Sequence, residues 1–168
     1  MNKLFMVIPL VFLLCFTVGC QQGERVLVQP LSDDPFIGIW KLNFAKSKVD
    51  DPNYKMPKNE TWGIAVQQNG IKTTFDGVSA QGRTYHIEST GIWDGKDVPV
   101  TGDPTAEAFA AKKIDSNAME FVVKKKSGKV PEPWRVTVSE DGKTMTSVGI
   151  MRGADGQEIS ATFVYDKQ

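Results

Sequence analysis

From Phe36 onward, apolar and polar residues alternate at period two in one segment after another, the spacing that puts successive side chains on opposite faces of a β-strand. In the first such segment, residues 36–44, Phe36, Gly38, Trp40, Leu42 and Phe44 share one face, and Ile37, Ile39, Lys41 and Asn43 share the other. Trp62, Ile64 and Val66 alternate with Gly63, Ala65 and Gln67; Met119, Phe121 and Val123 with Glu120, Val122 and Lys124. Trp134, Val136 and Val138 alternate with Arg135, Thr137 and Ser139, and Ile159, Ala161, Phe163 and Tyr165 with Ser160, Thr162, Val164 and Asp166. The pattern predicts strands over 36–44, 59–68, 71–76, 82–93, 105–115, 118–126, 130–139, 143–151 and 158–166. Only the Ala-rich stretch 104–113 admits a helical turn as the alternative.

The breaks between these segments carry hairpin chemistry: Asn69-Gly70, Asp94-Gly95, Ser116-Asn117, Ser127-Gly128, Asp141-Gly142 and Asp155-Gly156. Asn-Gly and Asp-Gly supply the positive φ that tight hairpin turns need, so consecutive strands are expected to pair as a meander. The expected fold is all-β: an antiparallel up-and-down barrel of about eight or nine strands, favoured over a sandwich because a sandwich needs a longer crossing between sheets. Trp40, two residues after Gly38, suits the floor of such a barrel as a plug. Burying most of its indole contributes at most about 4–5 kcal/mol.

The segment before the strands has a different pattern. Met1-Asn2-Lys3 gives a short positive start, and residues 4–18 form an apolar run broken by Pro9 and Thr17, the layout of a secretory signal. The run is short for a permanent membrane span. Thr17-Val18-Gly19-Cys20 resembles the lipobox of bacterial lipoproteins, whose Cys is joined to diacylglycerol and becomes the new N-terminus; Thr17 departs from the usual Leu. A plain signal with an incidental Cys is the competing reading. The expected organisation is thus a lipoprotein signal over 1–19, a flexible tether over 20–35 rich in polar residues and Pro, and a barrel domain over 36–168. Cys15 would leave with the signal, so no disulfide is expected in the remainder. Gln21 follows Cys20 where an Asp usually marks inner-membrane retention, so the sorting resemblance implies the periplasmic face of the outer membrane.

Among 168 residues, 20 basic and 20 acidic side chains cancel, which leaves no electrostatic footprint for nucleic acid. Lys124-Lys125-Lys126 reads as the end of a solvated strand.

Phe36-Ile37-Gly38-Ile39-Trp40-Lys41-Leu42-Asn43 resembles the G-x-W opening of lipocalins and intracellular fatty-acid-binding proteins, and Thr162-Phe163-Val164-Tyr165 resembles the closing strand of the latter. The whole domain, including residues 91–102 and 141–146, is similar to small lipocalin-like bacterial proteins of uncharacterised role. The resemblance implies a barrel that binds a small apolar or amphipathic molecule. Three departures bear on the mode. The fatty-acid binders close with an Arg two residues before the Tyr, and Phe163 stands there in this chain. Their two-helix lid has no counterpart, because residues 45–58 are few and include Pro52 and Pro57. Lipocalins stack a late-strand Arg over the G-x-W Trp, a role for which Arg152 and Arg135 are the candidates.

Catalytic residues are not expected. His86, the sole histidine, alternates with Tyr85 and Ile87 and is expected to face outward or line a rim; Asp33-Asp34 and Asp50-Asp51 are the only carboxylate pairs that suggest even weak calcium capture, and neither a metal nor a cofactor is expected. The inward candidates mix large residues with small ones such as Ser89, Gly91, Gly149 and Ala161, which is compatible with a cavity or with a solid core. The expected ligand-binding residues are Trp40, Phe121, Trp134, Phe163 and Tyr165, with Cys20 as the lipid attachment. The competing functions are an envelope interaction module with a solid barrel and, last, a lipocalin-like enzyme using His86 and Tyr165.

Overall fold

The computed structural model describes residues 33–128, 131–153 and 155–168. The expectations for Cys15, Cys20 and the tether up to residue 32 therefore fall outside the described residues. Eleven strands follow one another: β1 (Gly38–Leu42), β2 (Lys48–Val49), β3 (Asn59–Gln67), β4 (Gly70–Val78), β5 (Thr84–Gly91), β6 (Val98–Thr101), β7 (Ala106–Lys113), β8 (Ala118–Lys125), β9 (Trp134–Val138), β10 (Thr144–Arg152) and β11 (Glu158–Lys167). There is no α-helix among the described residues. Every neighbour pair is antiparallel, the order follows the chain, and β11 closes on β1 through Trp40↔Lys167, Lys41↔Asp166 and Leu42↔Tyr165. β2 is a short addition to the flank of β11, so ten strands make the closed barrel, one or two more than the periodicity suggests. This closed antiparallel barrel is consistent with a lipocalin-like fold.

Both strands that the pattern misses are short. β6 is Val98-Pro99-Val100-Thr101, and a Pro, with no N–H to give a ladder, normally argues against a strand. It holds two register pairs with each neighbour, Glu88↔Thr101 and Ser89↔Val100 on one side, Val98↔Phe109 and Pro99↔Ala108 on the other. Residues 104–113, open between strand and helical turn on sequence grounds, fold as strand β7. Its register shifts between Ala106 and Ala108, and that bulge explains why the apolar spacing there has no clean period.

The end of the barrel where β1 begins is closed. Phe36, Trp40, Met119, Val136 and Met145 are fully buried there or just above it. Phe36 meets Trp93 edge to face at 5.7 Å. Trp40 is the plug that its position suggests: its indole N–H donates to the Phe36 carbonyl at 2.8 Å. Among the described residues no arginine stacks on it. Arg152 pairs with Glu158 and Arg135 with Glu120 on the outer surface. Lys167, opposite Trp40 in the closing strand, lays its ammonium over the indole ring 4.9 Å from the centroid and donates to the Pro35 carbonyl. Gly38 makes this possible. Its φ is +145°, and a Cβ there would lie 2.8 Å from Lys167 Cε.

Candidate functional site

The opposite end, where residues 43–58, 79–83, 102–105 and 153–157 connect the strands, carries the recesses. Residues 43–58 form no helical lid. They form a strap of turns and irregular backbone that contributes β2, and Met56 and Tyr54 pack inward from it, with Tyr54 6.5 Å from the Phe163 ring.

From Tyr54 an aromatic chain runs down into the barrel. Phe163 stacks on Trp134 at 5.7 Å, Trp134 on Phe121 at 6.2 Å, and Phe121 meets Trp62 edge-on at 5.6 Å. Trp62 in turn touches Phe75 and Tyr165. Four residues singled out in the sequence, Phe121, Trp134, Phe163 and Tyr165, thus belong to one continuous aromatic array. Trp40, the cross-strand partner of Trp62, packs instead toward the closed end. Gly149 has a clear role in the array, since a Cβ there would sit 2.3 Å from the Trp134 ring, so the indole lies flat on bare backbone.

A polar cluster beside this array has no counterpart in the sequence reading. Glu60 shares the inward face of β3 with Trp62 and Ile64. Its carboxylate accepts hydrogen bonds from the Tyr85 hydroxyl and the Tyr165 hydroxyl, both at 2.6 Å. Burial, followed by the nearby Glu60 charge, raises the phenol of Tyr165 well above its ordinary range, and burial with the Glu60 hydrogen bond does the same for Tyr85. Tyr54 is also raised, by burial first and then by Glu60. Local geometry explains how Tyr85 reaches so far. Gly77 lies between Glu60 and Tyr85 in the cross-strand row, and a Cβ on it would sit 2.5 Å from the Tyr85 hydroxyl. The bare backbone lets the ring cross β4.

Two recesses adjoin the array. The inner one, about 140 Å³, is walled by Phe75, Ile87, Val100, Phe109 and Val123, with the hydroxyl-bearing Thr73 and Ser89 among them. Asp103, Lys125 and Glu88 stand at its edge. It lies against the seam where β6 pairs least. The outer one, about 370 Å³, shares Val123 and Lys125 with the inner and extends over Trp134, Met151 and Arg152. Trp134 is the one sequence-predicted ligand residue that lines either recess. Lys125, the last residue of β8, donates to Asp103 at 2.8 Å and to the Thr105 hydroxyl at 3.1 Å. Burial works to raise the Asp103 carboxyl, but hydrogen bonds from Lys125 and from the Thr105 hydroxyl and amide outweigh it and bring it down to about 2. The triple Lys is the strand end expected of it, with Lys124 paired to Asp97.

Thr73 is 2% exposed and its hydroxyl has no hydrogen-bond partner; among the described residues the only other buried side-chain polar atom in that condition is the indole nitrogen of Trp62. Buried polar atoms are nearly always satisfied, so a lone hydroxyl beside a recess is an exception that calls for a physical reason.

His86 faces out, as its alternation predicts. Its ring lies 2.5 Å from Asp76 and 3.1 Å from Glu88, and the Asp76 hydrogen bond leads in raising its pKa above 6.5. Tyr165 is inside the barrel, so the two do not share a site. The carboxylates considered for calcium are otherwise engaged: Asp34 caps the Phe36 amide and pairs with Lys113, and Asp50 pairs with Lys48. No family model and no curated protein matches the sequence, so the site stands on its own geometry.

Proposed function

We propose that this chain is a lipid-anchored, lipocalin-like protein of the cell envelope whose barrel binds a small apolar or amphipathic molecule without covalent chemistry. The observation that carries the binding half is the inner void, walled by Phe75, Ile87, Val100, Phe109 and Val123 with Asp103, Lys125 and Glu88 at its edge, and with the Thr73 hydroxyl unpaired. By itself the void falls below the roughly 300–1,000 Å³ of ordinary small-molecule sites. The adjoining outer recess supplies room for an amphipathic ligand's remainder. The anchoring half rests on the Val18-Gly19-Cys20 pattern, and placement on the periplasmic face of the outer membrane rests on Gln21. Family membership rests on Gly38 and Trp40 in the first strand and Tyr165 in the last.

A second reading has an observation of its own. The aromatic array fills much of the interior, and Ile92 and Ile114, 69% and 42% exposed, flank the Asp94–Lys112 bridge at the closed end. An envelope module that uses this apolar surface to meet a partner would need no ligand.

Native mass spectrometry of the full chain purified from bacterial membranes separates the two. A stoichiometric added mass that departs on denaturing extraction supports binding. A bare protein mass, unchanged after incubation with envelope lipid extract, supports the filled module. Metabolic labelling with a fatty acid, abolished in Cys20→Ala, tests the anchor independently.

A further inference from the structure

The register of the inner void says more about what it accepts. Ile64, Thr73, Ser89 and Val100 form one row across four neighbouring strands, so the two hydroxyls lie side by side, deep in the wall and away from the mouth. Apart from Glu88, Asp103 and Lys125, the rest of the lining is aliphatic or aromatic. The charged groups at the edge already have partners: Asp103 with Lys125, and Glu88 with Lys72 and His86. A charged group entering the void would be buried without a counter-ion, which is strongly unfavourable. A single donor or acceptor would instead satisfy the orphaned Thr73 hydroxyl. Size narrows the class again, since an apolar cavity of about 150 Å³ admits one benzene, and the void measures about 140 Å³.

Resting on the binding reading above, we infer that the inner void takes a compact, uncharged, ring-sized apolar molecule with one hydrogen-bonding group, held with that group inward against Thr73. This inverts the arrangement in which a polar head stays at the mouth. It restricts an acyl chain to the outer recess. Ser89, opposite Thr73, is the second hydroxyl in reach of the same group. The specificity-determining residue is Thr73.

The test uses the full chain in lipid nanodiscs with isotope-labelled Ile and Val methyls, following Ile87, Val100 and Val123 while benzene, phenol or benzoate is added. Phenol is expected to bind about tenfold more tightly than benzene, the ratio one added hydrogen bond supplies. Benzoate is expected to leave the three methyls unmoved. Thr73→Val, equal in shape, is expected to bring phenol down to the affinity of benzene while benzene is unchanged, and to raise the melting temperature without ligand. Thr73→Ser keeps a hydroxyl and is expected to keep the preference for phenol. Equal affinities for phenol and benzene in both the wild type and Thr73→Val overturn the inference and leave the binding reading standing, as does preferential binding of benzoate. Failure of all three probes to move the methyls, together with a bare native mass, overturns both.

Discussion

Gly77→Ala is the sharpest probe of how the polar cluster is held. The new methyl would sit 2.5 Å from the Asn59 carbonyl oxygen, 2.5 Å from the Tyr85 hydroxyl and 2.6 Å from Tyr85 Cζ. The first contact is backbone in a paired strand and yields little, so the Tyr85 ring must lift and its hydroxyl leaves Glu60. A hydrogen bond to a charged acceptor contributes about 1.5–3 kcal/mol. Overpacking adds about 1–3 kcal/mol. The expected destabilisation is about 3–5 kcal/mol, a large part of the roughly 5–15 kcal/mol that holds a domain of this kind together. With a urea m-value of about 2 kcal/mol/M, the unfolding midpoint falls by about 2 M. Tryptophan fluorescence reports it, since Trp62 lies next to Glu60 on the inward face of β3. Tyr85→Phe completes a double-mutant cycle. Alone it costs about 1.5–3 kcal/mol. In the Gly77→Ala background it is expected to cost less than about 0.5 kcal/mol, because the bond is already gone. Equal costs of Tyr85→Phe in the two backgrounds would refute the claim that Gly77 exists to let the ring across.

Three further outcomes are expected. All three tyrosines are raised above 10, so at that pH the folded protein should show less phenolate absorbance than the unfolded chain, with the remainder appearing on alkaline unfolding; the stabilisation is fully present below pH 10 and is lost as pH rises through the folded-state values. A normal tyrosine titration in the folded protein would contradict it. His86, raised above 6.5, should show that shift by NMR and show a smaller one in Asp76→Asn, where Glu88 alone still raises it; its contribution to stability is present below pH 6.5 and disappears as pH climbs through the raised value. Gly149→Ala pushes a methyl to 2.3 Å from the Trp134 ring and should destabilise by about 1–3 kcal/mol, with Trp134 more accessible to an aqueous quencher; unchanged quenching would count against the flat-lying indole.

Much of the barrel is legible in the sequence because its turns announce themselves. Gly70, Gly95, Gly128, Gly142 and Gly156, each the second residue of a turn pair, all have positive φ and all lie between strands or at a strand's first residue. Alternation then assigns the faces of β1, β3, β8, β9 and β11. It fails where geometry departs from period two, at the β7 bulge, and where a strand is too short to show a period, at β2 and β6. The binding features are harder to read for a different reason. Glu60 falls in phase with Trp62 and Ile64, but its phenol partners are 25 and 105 residues away, and only closure of the sheet brings them together. Thr73 is likewise in phase with Ile71 and Phe75. Nothing local reveals that its hydroxyl ends up alone beside a void, since that depends on strands β4 to β8 all being in place.

The pairing of β1 with β11 sets the order in which this protein can be assembled. Asn43 donates to Asp166 across 123 residues, and the Gln168 amide donates to the Ile39 carbonyl. Until that long loop closes, β1 has a neighbour on one side only, and its other edge stands open to any passing strand. Hairpins from β3 to β5 and from β7 to β11 need only local contacts and form early, whereas the seam must wait for both ends to meet. Closure is therefore expected to be the slow and aggregation-exposed step, and Lys41 and Lys167, charged residues on the two strands that must find each other, discourage wrong pairing along the open edges until they do.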